Sequence, residues 1–136
     1  MIDIFKELKK LKFPNGEYLV VGGTMAGHGI REAHDLDILV TPNLYQKLLK
    51  QGYKQCKCKQ CLNTSRLMLK KDKVDILPNL IFKNYIGDTN KLIKNADIIK
   101  GYPFLKIIEF IKFKKELGRL KDLEDIKLMK KYLRKK

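Results

Sequence analysis

At 136 residues, 44% of them hydrophobic, the chain carries enough apolar content for one packed core and too much for a disordered tail. No apolar run approaches the roughly 20 residues of a membrane-spanning helix. The opening "MIDIFKELKKLKF" lacks the order and cleavage site of a signal peptide, so a cytoplasmic protein without membrane contact is expected. The net charge of +15 points instead to a polyanionic partner such as RNA or a nucleoside triphosphate.

That charge is unevenly placed. Residues 47–73 hold nine basic side chains against Asp72 alone, and residues 103–136 hold twelve against five acidic ones. Lysine supplies 26 of the 30 basic residues, so a lysine-rich composition competes with a nucleic-acid partner as the explanation. The three cysteines, Cys56, Cys58 and Cys61, sit in "CKCKQC". That pattern resembles neither a secreted disulfide framework nor a standard zinc knuckle, and reduced thiols are the favoured reading.

In chain order, the first segment is an amphipathic helix with Ile4, Leu8 and Leu11 at helical spacing, ended by the turn "FPNG". "EYLVV" is a β-rich strand, "GGTMAGHGI" a glycine-led short helix, and "DLDILV" a second strand. Thr41 and Pro42 are good N-cap and first-turn residues for "NLYQKLLKQ", with Gly52 closing it. "YKQCKCKQCL" suits a strand and loop, and "SRLMLKKDKVDILP" a hairpin turning near Lys71 and Asp72. "DTNKLIKNA" is a short helix capped by Asp88 or Thr89, and "DIIKGYP" an extended segment with a turn. Two helices follow, "FLKIIEFIKFKKELG" and "RLKDLEDIKLMKKYLRKK". In the second, Leu120, Leu123, Ile126, Leu128, Met129 and Leu133 form an apolar stripe near helical period. The expectation is an α+β domain, with a mixed sheet over 1–102 and a helical pair over 103–136.

The chemistry lies in "DLDILV". Residues two apart on a strand share a face, so Asp35 and Asp37 project together while Leu36, Ile38 and Val40 point into the core. Two close carboxylates repel unless a cation sits between them, and Mg²⁺ takes one or two carboxylates plus substrate phosphates. Asp75 in "KVDIL" is a third carboxylate in a matching apolar setting. Gly22 and Gly23 at the strand-to-helix turn leave room for a phosphate to approach the backbone. The competing readings are plainer: solvent-facing edge aspartates, a hairpin Asp75, and glycines that only permit a tight turn. His28 and His34 suit helix or loop positions better than ligand roles, and Arg31 suits either a phosphate or Asp35. Asp122 and Asp125 read as structural helix residues.

Gly-Gly, a short helix, Asp-x-Asp in a strand and a later lone Asp together resemble the nucleotidyltransferase superfamily with the DNA polymerase β-like fold. "HGIREAHDLDILVTP" is similar to small bacterial and archaeal members, in the toxin-type and antibiotic-modifying branches. "KKELGRLKDLEDI" resembles the helix–turn–helix that closes many of them, so the resemblance spans residues 17–130. It implies a Mg²⁺-dependent transfer of a nucleoside monophosphate from a triphosphate, ATP or CTP, to a hydroxyl of an RNA, protein or small molecule. By position, Gly22, Gly23 and Thr24 would hold the triphosphate. Asp35, Asp37 and Asp75 would be the metal-binding and catalytic carboxylates, with Asp75 the third of them and a general base. Lys114, Arg119 and Lys121 fall at the family's tail lysine and arginine, for phosphate contact or helix packing. The acceptor domain of antibiotic-modifying relatives has no counterpart, so a large acceptor such as tRNA, or a homodimer, would complete the pocket. Two other functions stand beside this one: RNA binding without catalysis, and one half of a toxin–antitoxin pair with a separate partner protein.

Overall fold

The computed structural model describes residues 2–55 and 67–135. The elements run α1 (Ile4–Leu11), β1 (Tyr18–Gly22), α2 (Thr24–Gly27), β2 (Leu36–Val40), α3 (Pro42–Lys50), β3 (Lys54–Gln55), β4 (Leu69–Lys71) and β5 (Val74–Leu77). They continue β6 (Ile81–Phe82), β7 (Tyr85–Ile86), α4 (Thr89–Lys94), β8 (Asp97–Ile99), β9 (Tyr102–Phe104), α5 (Ile107–Leu117) and α6 (Leu120–Arg134). The three cysteines lie outside the described residues.

The architecture is mixed α+β. A seven-stranded sheet has the order β3-β4-β5-β2-β1-β9-β8, and β6 with β7 makes a separate two-stranded ribbon. Within the large sheet β2 runs parallel to β5 and β1 to β9, and the remaining ladders are antiparallel. Alternation along the strands builds two cores. Val20, Leu36, Ile38, Val74 and Ile76 project to one face, where α1 adds Ile4 and Leu8 and α3 adds Leu44 and Leu48. Leu19, Val21, Leu39 and Leu77 project to the other, under Phe110 and Phe113 of α5 and Ile126 and Met129 of α6. No described helix is long and apolar enough to cross a membrane.

Local chemistry sets the helix starts. Asp3, Thr41 and Asp88 accept hydrogen bonds from the amides of Lys6, Leu44 and Lys91, and each such cap is worth about 1 kcal/mol. The hairpin expected at Lys71 and Asp72 is present, with Asp72 at φ +55° in its turn. "DIIKGYP" also folds as a hairpin, β8–β9, because Lys100 and Gly101 both take positive φ.

Two expectations need correction. Phe104 and Leu105 do not open the helix. Phe104 ends β9, fully buried against the Phe5 ring at 5.7 Å, and α5 begins only at Ile107. Of the apolar stripe expected on the last helix, only Ile126 and Met129 are buried, and its four leucines are exposed. Leu120 and Leu123 are 77% and 48% exposed, whereas Asp122, Asp125, Ile126 and Met129 are buried. The rotation follows from charge: Asp122 and Asp125 must reach the buried ammonium of Lys114, which turns the leucines outward.

This orientation is testable by urea unfolding. Met129→Ala should cost about 2–5 kcal/mol, while Leu120→Ala should stay within about 0.5 kcal/mol of the parent. The reverse ranking would mean that the leucine stripe is the packed face.

Candidate active site

One line across the sheet carries the candidate chemistry. Gly22 of β1 stands opposite Asp37 of β2, Asp37 beside Asp75 of β5, and Asp75 opposite Lys70 of β4. Partners in register share a face, so these side chains lie together on the side that α5 and α6 cover. Gly22 is required there: a Cβ on it would collide with the Asp37 carboxylate. Gly23 holds φ +119°, a left-handed conformation that turns β1 into α2. Asp35 sits in a bend one residue before β2 rather than within it, exposed at the mouth of the site.

Asp75 has the most unusual surroundings. Its Oδ1 is buried without a hydrogen-bond partner, and the Lys70 ammonium stands 3.8 Å from it, beyond hydrogen-bonding range. Burial pushes the Asp75 carboxyl up, Lys70 pulls it back, and the charge of Asp35 pushes it up again. Parallel pairing of β2 and β5 thus brings Asp37 and Asp75 side by side, with Asp35 close enough to be felt.

A cleft of about 930 Å³ opens over this line. Its lining includes Gly22, Gly23, Arg31, Asp35, Asp37, Asp75, Lys114, Arg119 and Lys121, and its apolar wall comes from Phe82, Phe110 and Phe113. Every sequence-derived site residue except Thr24 therefore borders one space. Thr24 is fully buried, and its hydroxyl donates to the Leu105 carbonyl at 2.7 Å, so that hydroxyl belongs to the core.

The far wall is held by ions. Lys114 Nζ lies 3.2 Å from Asp122 Oδ1 and 2.9 Å from Asp125 Oδ2, over the ring of Phe110. Arg31 grips Asp125 through two nitrogens at 3.1 and 3.0 Å, and so does not pair with Asp35. Arg119 clasps Asp122 through its side chain at 2.6 Å and its amide at 3.1 Å, which also caps α6. Three cations thus meet two carboxylates; with Lys121, Glu32 and Glu124 also bordering the cleft, the four basic groups of this wall are matched by four acidic ones. Asp122 and Asp125, expected as structural helix residues, are buried and ion-paired, and Lys114 is buried between them. Lys121 is exposed on α6. His28 is buried away from the cleft, its Nε2 3.1 Å from Asp97 Oδ2 and its Nδ1 2.8 Å from the Thr24 carbonyl.

Lys70 is the neighbour that reading the sequence missed. The signal was the hairpin: a turn centred on Asp72 and Lys73 necessarily pairs residue 70 with residue 75. Among the described residues no three His, Cys, Asp or Glu side chains form a ready-made metal cage. The orphaned oxygen of Asp75 beside Asp37 nonetheless suits a hard cation such as Mg²⁺, which completes its shell with water and phosphate oxygens.

Against the opposing effect of burial, Arg119 and Lys114 hold the Asp122 carboxyl, and Lys114 and Arg31 the Asp125 carboxyl, below the ordinary range. Their contribution to stability is therefore complete above the unfolded Asp value near 4 and is lost as pH falls through the lower folded values. Thermal unfolding between neutral and acidic pH should show that loss, reduced in Asp125→Asn. Lys114→Met, which removes the buried cation shared by two carboxylates and leaves them to Arg119 and Arg31, should cost about 3–5 kcal/mol. A loss below about 1 kcal/mol would show that the network does not brace the wall.

No family model matches the chain, and no curated protein matches its sequence.

Proposed function

We propose that the chain is a Mg²⁺-dependent nucleotidyltransferase of the DNA polymerase β-like fold, passing a nucleoside monophosphate from ATP or CTP to an acceptor hydroxyl. The observation that carries this reading is the Asp37–Asp75 pair. Two carboxylates stand in register on parallel strands, one with a buried oxygen that makes no hydrogen bond, at the floor of a cleft whose opposite wall presents Arg119 and Lys121. Adjacent acidic groups facing two exposed basic side chains suit a cation below and a polyphosphate above.

Asp35 and Asp37 would hold Mg²⁺, with Asp75 completing the set. When bound, the cation neutralises phosphate charge and aligns the reacting phosphoryl group. The chain's own residues do the rest. Gly22 and Gly23 leave the backbone of the β1–α2 turn open to the triphosphate. Phe82 and the α5 rings offer apolar surface to the base, and the half-exposed guanidinium of Arg119 and the ammonium of Lys121 face the phosphates. Asp75, held above the usual carboxylate range by burial, takes the acceptor hydroxyl's proton. As that oxygen bonds to the α-phosphorus, the bond to the β-phosphate bridge breaks and pyrophosphate leaves.

The test uses each α-labelled nucleoside triphosphate with Mg²⁺ and either total RNA or cell extract, with Asp37→Asn alongside. Label should move to a macromolecule or small acceptor with the parent protein and be lost with Asp37→Asn. Unchanged turnover in Asp37→Asn, with its fold verified by circular dichroism, would falsify the assignment.

A further inference from the structure

The carboxylate line does not stop at Lys70. Lys70 of β4 is itself directly opposite Lys54 of β3, so the same face presents Asp37, Asp75, Lys70 and Lys54 in succession. Neighbouring strands lie about 4.8 Å apart, which spaces these groups regularly from the cleft floor to the sheet edge. Both lysines are exposed.

Two like charges directly opposite on adjacent strands destabilise a sheet. Lysines on edge strands do discourage strand-to-strand aggregation, but β4 is an interior strand, so that role does not cover Lys70. Among the described residues Lys54 has no carboxylate partner, and Lys70 meets only Asp75 at 3.8 Å. Arg31, Lys114 and Arg119 each contact Asp122 or Asp125 and Lys70 contacts Asp75, whereas Lys54 contacts no carboxylate among the described residues, so the Lys54–Lys70 pair carries one more positive charge than Asp75 balances.

We propose that Lys54 and Lys70 form a track for the phosphodiester backbone of a polynucleotide acceptor, whose terminal hydroxyl would lie at Asp75. This rests on the nucleotidyl-transfer reading and narrows its acceptor to one class. Two cations one strand spacing apart suit neighbouring phosphates of a polymer with one charge per repeat. It reads no base edge, so recognition there is independent of sequence. The triphosphate lies against the β1–α2 turn, and the acceptor enters from the β3 edge.

The experiment is fluorescence anisotropy with a labelled short single-stranded RNA and its DNA counterpart, titrated from ~50 to ~200 mM salt. Lys54→Gln/Lys70→Gln should reduce the slope of log affinity against log salt by about 1.4, since each phosphate contact on a single strand contributes about 0.7. The same decrease for RNA and DNA is expected from backbone contacts. Lys6→Gln/Lys9→Gln on α1, which packs on the other face, is the charge-matched control and should leave the slope nearer the parent value. Lys54→Gln alone should unfold at the parent's temperature or above it, because it relieves a repulsion. Equal slopes in the track and control variants would overturn the proposal. So would unchanged polynucleotide binding with lost binding of poly-glutamate, which would point to an acidic protein. Each measurement is repeated on Asp37→Asn, so a chain that transfers nothing still reports whether the track binds.

Discussion

The ammonium of Lys114 is the group on which the rest of the arrangement depends. It is nearly removed from water, and a buried charge of this kind is tolerable only when carboxylates surround it. Asp122 and Asp125 meet that need, one turn apart on α6, and in doing so set the rotation of that helix. Arg31 and Arg119 then complete the carboxylates from the β1–β2 connection and the α5–α6 turn. One buried charge thereby ties the end of the chain to the loop that precedes β2. The cleft has a second wall because of it.

The floor of the cleft depends on a different constraint, the register of parallel β2 and β5. Strand pairing alone sets Asp37 beside Asp75 and sets Gly22 where the Asp37 carboxylate needs space. Shifting β5 by one residue would exchange Asp75 for Val74 or Ile76 and put a carboxylate into the apolar core. Leu36, Ile38, Val74 and Ile76 on the reverse face prevent that slip. The apolar side of the sheet therefore positions the acidic side, and the repulsion between the carboxylates is borne by packing on the far face.

Much of this was legible in the sequence, for identifiable reasons. Alternation in "DLDILV" and "KVDIL" assigned the buried and polar faces, and Thr41-Pro42, Asp88 and Gly118 marked helix ends by capping chemistry that acts over a few residues. What was not legible involved distant partners. Helical period alone made Leu120 and Leu123 a core stripe. Only the position of Lys114 reveals why Asp122 and Asp125 occupy that face instead. Phe104 read as helix because apolar spacing continues into "IIEF", yet its burial against Phe5 holds it in a strand. Thr24 followed two glycines in a phosphate-binding pattern, and its hydroxyl was claimed by the Leu105 carbonyl, 81 residues away.

The clamp between Arg31 and Asp125 spans 94 positions of the chain. During synthesis the strands that bear the carboxylates leave the ribosome well before α6 exists. Until α6 arrives, Lys114 lacks both of its counter-ions and α5 cannot settle with that charge inside. A nascent or C-terminally clipped chain therefore has a floor without a wall. The wall of the cleft thus depends on a helix made after the strands that form its floor.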